Sequence, residues 1–141
     1  MRTSDKMFSI DANVILRYLT QDDEGLSAKA AAIMEGVEDG LISVSCDPVT
    51  LAEVVWVLAS YYKLPGEAIS EGLAPILKAD GFAMPNKARY IRALELYSSS
   101  VSHFGDACAC AAALEECDGR LLSFDREPSG VKGIRRAESL E

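Results

Sequence analysis

Short apolar runs alternate with longer stretches of helical periodicity along the whole chain, and this alternation constrains the fold more than any other feature. The runs are MFSI (7–10), LISVSC (41–46), GFAMP (81–85) and RLLSF (120–124), with a further short one near Ile134. Each has the length of a strand and carries β-branched or aromatic residues. Between them lie ANVILRYL, SAKAAAIMEGV, DPVTLAEVVWVLASYY, PGEAISEGLAPILKA, NKARYIRALELYSSS and HFGDACACAAALEEC, which read as helices. Asp47 followed by Pro48 is a helix start, and Pro75 predicts a kink. Strands alternating with helices imply an α/β fold of three layers, α/β/α, around a parallel sheet covered on both faces. Right-handed crossovers limit it to a few doubly wound orders. The 141 residues suit one domain, 1–141.

The formal net charge of -8 argues against broad attraction to nucleic acid or anionic lipid. It leaves room for a nucleic-acid substrate reached through a divalent cation, which inverts the local charge. No apolar run approaches the roughly 20 residues that span a bilayer, and MRTSDKMFSI holds no signal-peptide run. The expectation is a cytoplasmic protein with no membrane role. The four cysteines, Cys46, Cys108, Cys110 and Cys117, lack zinc-knuckle spacing, and His103 is the single histidine. Cys108, Cys110 and Cys117, set among alanines, read as small core residues of a helix, and reduced thiols fit a cytoplasmic setting.

Four acids sit beside apolar elements. In parallel α/β sheets ligands bind beyond the carboxyl ends of the strands; Asp11 follows the first strand and Asp125 the fourth. Glu53 lies inside LAEVVWVLA, a helix apolar almost all round and so expected to be buried. An unpaired buried carboxylate costs several kcal/mol, roughly, so Glu53 calls for a cation, a proton, or a salt bridge to Arg17 or Lys87. Asp106 opens DACACAAALEEC, where an acid serves equally as a helix cap. Taken together the four would repel one another without a cation, and oxygen-rich clusters suit Mg²⁺ or Mn²⁺.

The ordered set IDANVILRYL, LAEVVWVL, FGDACACAAA and LLSFD resembles the PIN-domain family and looks most like the VapC-type toxin ribonucleases of toxin–antitoxin pairs. The resemblance implies a PIN-like, five-stranded parallel sheet of order 3-2-1-4-5 and a Mg²⁺- or Mn²⁺-dependent endoribonuclease. Asp11 and Asp106 would then be the principal metal ligands, completed by Glu53 and Asp125, with Asn13 and Ser123 orienting water or carboxylates. The cation would activate water and neutralise phosphate charge, leaving a 5′-phosphate and a 3′-hydroxyl. The resemblance also implies an RNA substrate, a homodimer and a VapB-type antitoxin partner. Two departures stand out. His103 occupies a place where the family often has an acid, and in FDREPSG Glu127 stands near the position of a further acid while Pro128 replaces an aromatic residue.

Arg17 is a candidate for phosphate binding, with a salt bridge to a neighbouring acid as the equal alternative. Lys87, Arg89 and Arg92 form one basic stretch; Lys132, Arg135 and Arg136 form another, closer in sequence to the fourth acid. Trp56, Tyr61 and Tyr62 read as core or interface residues rather than base-stacking platforms, and His103 as a surface residue. The apolar helices also favour a homodimer. Phosphatases of the haloacid-dehalogenase type would need a second Asp where Asn13 stands, and a receiver domain would need an acid after the third strand. A rival of another class is a catalytically inactive PIN-like domain acting as a protein- or RNA-binding module.

Overall fold

The structure is a computed structural model that describes residues 6–140; the leader-free reading of residues 1–10 falls partly outside them. The chain divides into two compact units. The first runs to Leu64 and takes in Pro75–Pro85; the second comprises Pro65–Ala74 and the chain from Asn86 onward. Pro75 thus marks a change of unit inside a helix.

In the first unit the parallel strands β1 (Met7–Ser9), β2 (Ser43–Ser45) and β3 (Phe82–Ala83) form a sheet with β2 in the middle. Phe8 lies opposite Val44, and Val44 opposite Phe82. Helices α1 (Ala12–Thr20), α2 (Glu24–Glu38) and α3 (Pro48–Ser60) belong to this unit, and α1 packs on both α2 and α3. The break after α1 is made by Gln21 in the left-handed conformation, φ 56. Asp23 opens α2, its side chain accepting from the Leu26 N–H at 3.0 Å. Asp47 caps α3 in the same way, accepting from the Val49 N–H at 2.8 Å, with Pro48 at the first helical position. Ile15, Val44, Leu51, Val54, Leu58 and Phe82 are fully buried.

Helix α4 (Gly66–Lys78) retains Pro75 in its interior. The second unit holds α5 (Lys87–Ser99) and α6 (Phe104–Glu116), packed against each other, and the parallel pair β4 (Arg120–Leu122) and β5 (Arg135–Ala137). A short 3₁₀ turn, Glu127–Gly130, packs on α6 and β5. Ser70 is buried and donates its hydroxyl to the Leu94 carbonyl at 2.7 Å. Gly119 and Gly133 have φ of +79 and +90, and a Cβ on Gly119 would run into the Gly133 carbonyl, so this close approach requires glycine.

The α/β class and the parallel strands follow the sequence pattern. Among the described residues the strands pair as two sheets, β1-β2-β3 and β4-β5, and not as the single five-stranded sheet of order 3-2-1-4-5 that was expected. The expectation of a sheet covered on both faces is corrected at β1: Met7 and Phe8 are 54% and 53% exposed and only Ile10 of the run is buried. Among the described residues β1 pairs with β2 alone. Cys110 is buried as expected and Cys108 partly so, whereas Cys117 is exposed beyond the end of α6; Cys46 is buried as well, and all four thiols are free. Burial pushes the Cys46 and Cys108 thiols up to about 11, where they stay protonated and inert. No helix among the described residues is long and apolar enough to cross a membrane.

Candidate functional site

Asp11 lies two residues beyond the end of β1 and is the N-cap residue from which α1 starts. Its backbone is extended, φ -92 and ψ 153, and its carboxylate makes no capping hydrogen bond. That sets it apart from Asp23 and Asp47, whose side chains close the first turns of their helices. The Asp11 carboxylate is exposed, while Ile10 before it and Ala12 after it are buried. The end of β1 is pinned by the Ile10 N–H, which donates to the Ser45 carbonyl at 3.0 Å. Asp11 is therefore held at the carboxyl end of a strand with its oxygens uncommitted to capping. Asn13, in the first turn of α1, is also exposed.

Glu53 corrects an expectation. It lies on α3 but is exposed, together with Ala52 and Trp56, while Leu51, Val54, Val55 and Leu58 turn inward. The helix is apolar nearly all round in composition, yet its geometry still gives it an outer face, so burial does not force a partner on Glu53. Trp56 and Tyr61, 68% and 74% exposed, likewise lie outside the core.

In the second unit Asp106 stands in the first turn of α6, for which His103 is the N-cap residue. The cap reading of Asp106 is thus replaced by a first-turn position, where the helix dipole favours a negative charge. Asp106 is half-buried, and its carboxyl is raised above the usual Asp range. Desolvation is the largest cause; the charge of Asp125 and a hydrogen bond with it add to the shift, while His103 acts the other way. Asp106 and Asp125 are thus close enough to act on each other's charge. Asp125 is set by Ser123, whose hydroxyl accepts the Asp125 N–H at 3.0 Å.

Glu127 and His103, both singled out in the sequence, act on Asp106 electrostatically. Glu127 accepts from Ser102 and is lowered by those hydrogen bonds. The sequence marked Glu127 as a candidate acid; nothing in it pointed to Ser102.

The cations proposed to grip RNA are largely engaged within the fold. Arg17 Nη1 donates to Asp22 at 3.1 Å, forming a salt bridge to a neighbouring acid. Arg89 pairs with Glu115 and Glu116, Arg135 with Asp118, and Arg136 with the Ser123 carbonyl, Ser129 and Glu138. Lys132 and Arg126 are exposed near Asp125 in sequence. A cavity of about 230 Å³ is lined by Ala88, Arg89, Arg92, Ala111, Leu114 and Glu115, apart from the acids.

The donors offered by Asp106 and Asp125 are carboxylate oxygens, the chemistry that suits a hard divalent cation. Their mutual repulsion is what a cation would relieve. Among the described residues, however, no group of three or more His, Cys, Asp or Glu side chains stands ready to hold a metal ion.

A search of curated proteins finds no match to this chain. The family model of the PIN domain matches residues 9–134. PIN domains are generally nucleases that act on RNA or other nucleic acids and use divalent metal ions. Matched from the end of β1 to the edge of β5, the chain belongs to the PIN-domain family.

Proposed function

We propose that this PIN protein is a Mg²⁺- or Mn²⁺-dependent endoribonuclease and the toxin of a VapBC-type pair, its 141 residues acting as one domain in the cytoplasm. The observation that carries the reading is the Asp106–Asp125 pair, two carboxyls kept together although their charges repel. Burial and a like charge displacing a titration are hallmarks of functional sites. Asp11 adds a strand-end carboxylate that its own helix does not use as a cap.

In this reading Asp11 and Asp106 are the principal metal ligands, and Glu53 and Asp125 complete the set. A divalent cation held there would supply Lewis acidity toward water and the scissile phosphate. The protein's own residues do the positioning. Ser123 fixes the backbone of Asp125, and Asn13, exposed in the first turn of α1, is available to orient water. Arg17, ion-paired with Asp22, keeps its candidate role at a substrate phosphate. Lys132 and Arg126 join it as candidate phosphate contacts. A homodimer and a VapB-type antitoxin partner belong to the same proposal; the exposed Val49, Trp56 and Tyr61 supply apolar surface for association.

The test is cleavage of generic single-stranded RNA by the full chain with Mn²⁺, with EDTA, and with Asp11→Asn. Cutting that needs the metal and is lost in the variant is the expected result; a rate indifferent to both overturns the nuclease reading. The second reading, an inactive PIN-like module that binds protein or RNA, is favoured by the lack of a three-residue ligand group among the described residues. It expects a stable complex with no turnover under any metal.

A further inference from the structure

Glu127 has no role in the function proposed above, yet it is tied more firmly than any of the four acids. It opens the 3₁₀ turn two residues after Asp125. Its Oε1 accepts two hydrogen bonds, from the Ser102 N–H at 3.0 Å and from the Ser102 hydroxyl at 2.8 Å. Ser102 lies between α5 and α6, immediately before His103, the N-cap residue of the helix that carries Asp106. One carboxylate oxygen therefore joins the segment that follows Asp125 to the segment that launches Asp106.

Such a link is needed because Asp106 and Asp125 repel each other, and their backbones must be fixed by something other than mutual attraction. On the Asp125 side, Ser123 accepts the Asp125 N–H, Arg136 donates to the Ser123 carbonyl at 2.7 Å, and Pro128 is fully buried. On the Asp106 side, the His103 carbonyl accepts the Ala107 N–H at 3.1 Å, but the His103 side chain caps nothing. The Glu127–Ser102 clamp connects these two anchored segments. Hydrogen bonds to an ionised carboxylate are among the stronger ones a fold can use.

We propose that Glu127 is a positioning residue: its carboxylate, clamped on Ser102, sets the spacing of Asp106 and Asp125 for the divalent cation without itself binding it. The inference rests on the nuclease reading, and the experiment separates the two. Glu127→Gln keeps a side-chain oxygen able to accept both Ser102 bonds but removes the charge a metal ligand needs; Glu127→Ala removes both.

Mn²⁺ binding to the full chain is followed by the electron paramagnetic resonance of the free ion. Exchange of the Ser102 amide hydrogen is followed in parallel by NMR without metal. Glu127→Ala is expected to weaken Mn²⁺ binding about tenfold or more, as loss of a residue that orients ligands does, and to unprotect the Ser102 amide. Glu127→Gln is expected to stay close to the wild type in both. Ser102→Ala, which keeps the N–H bond, is expected to fall between them. Glu127→Gln binding Mn²⁺ as poorly as Glu127→Ala, with its Ser102 amide still protected, would show a charged ligand and overturn the positioning role. Glu127→Ala binding Mn²⁺ like the wild type would overturn it as well. A wild-type chain that binds no Mn²⁺ overturns the nuclease reading itself, whatever the Ser102 amide reports about the clamp.

Discussion

In the first unit Asp23 and Asp47 cap helices, and Asp22 gathers the Tyr62 hydroxyl at 2.6 Å, the Arg17 guanidinium at 3.1 Å and the Thr20 hydroxyl at 3.2 Å. In the second unit Asp106 meets Asp125, another acid, and loses water as well. The same side chain is thus drawn below its usual range at Asp22, chiefly by the Tyr62 hydrogen bond, and pushed above it at Asp106, chiefly by desolvation. Carboxylates that meet donors serve the fold. Carboxylates that meet each other are a cost to the fold, and a cost retained is a pointer to chemistry. Asp11 differs from Asp23 and Asp47 in another way: it starts a helix without capping it.

The sharpest way to break this contrast is to remove charge from each unit in turn. Asp11→Asn and Asp106→Asn are each expected to lower Mn²⁺-dependent RNA cleavage on the order of a thousandfold, the several kcal/mol that a cation contributes to such a reaction. If only Asp106→Asn does so, Asp11 leaves the ligand set and the contrast becomes one between an inert unit and an active one.

Core truncation comes next. Phe82→Ala empties a fully buried position on β3 and is expected to cost about 3–5 kcal/mol in denaturant unfolding. In the second unit Ser70→Ala removes a buried hydroxyl bond to the Leu94 carbonyl and is expected to cost about 1 kcal/mol, leaving an acceptor without its donor. A cost for Ser70→Ala as large as that for Phe82→Ala would show that polar bonding, rather than apolar burial, holds the second unit.

The smallest effects are those of pH, and they carry opposite signs. Asp22 is lowered from 3.8, so the stability drawn from its Tyr62 bond is fully present above that value and disappears as pH falls through the lowered one. The loss caused by Tyr62→Phe should therefore fade in acid. Asp106 is raised from 3.8, so its charged form weakens the fold above the raised value, and that penalty fades as pH falls toward 3.8. Asp106→Asn should consequently raise the Tm at neutral pH and bring a shrinking gain in acid. Melting curves across this range check both; two variants shifting in the same direction would erase the contrast.

How much of this was legible in the sequence differs from residue to residue. The positions of Asp11 and Asp125 after strands were readable because strand ends are marked by the stop of an apolar run. The exposure of Glu53 was not, because a helix apolar in composition conceals which side faces outward until neighbours cover the other. The ion pairs that engage Arg17, Arg89 and Arg135 were equally hidden: Arg89 meets Glu115 and Glu116 only because α5 packs on α6. Ser102 carried no signal at all, since its partner lies 25 residues away along the chain.

Local chemistry determined the elements. Period, caps at Asp23 and Asp47, and Pro48 act over a few residues, so the α/β alternation and the choice of candidate acids were present in the chain before it folded. Tertiary structure decided which charges meet. Whether an aspartate finds a tyrosine hydroxyl, as Asp22 does, or another carboxyl, as Asp106 does, depends on contacts between residues distant in sequence. Those contacts are selected by packing, and packing is a property of the whole fold rather than of any window within it.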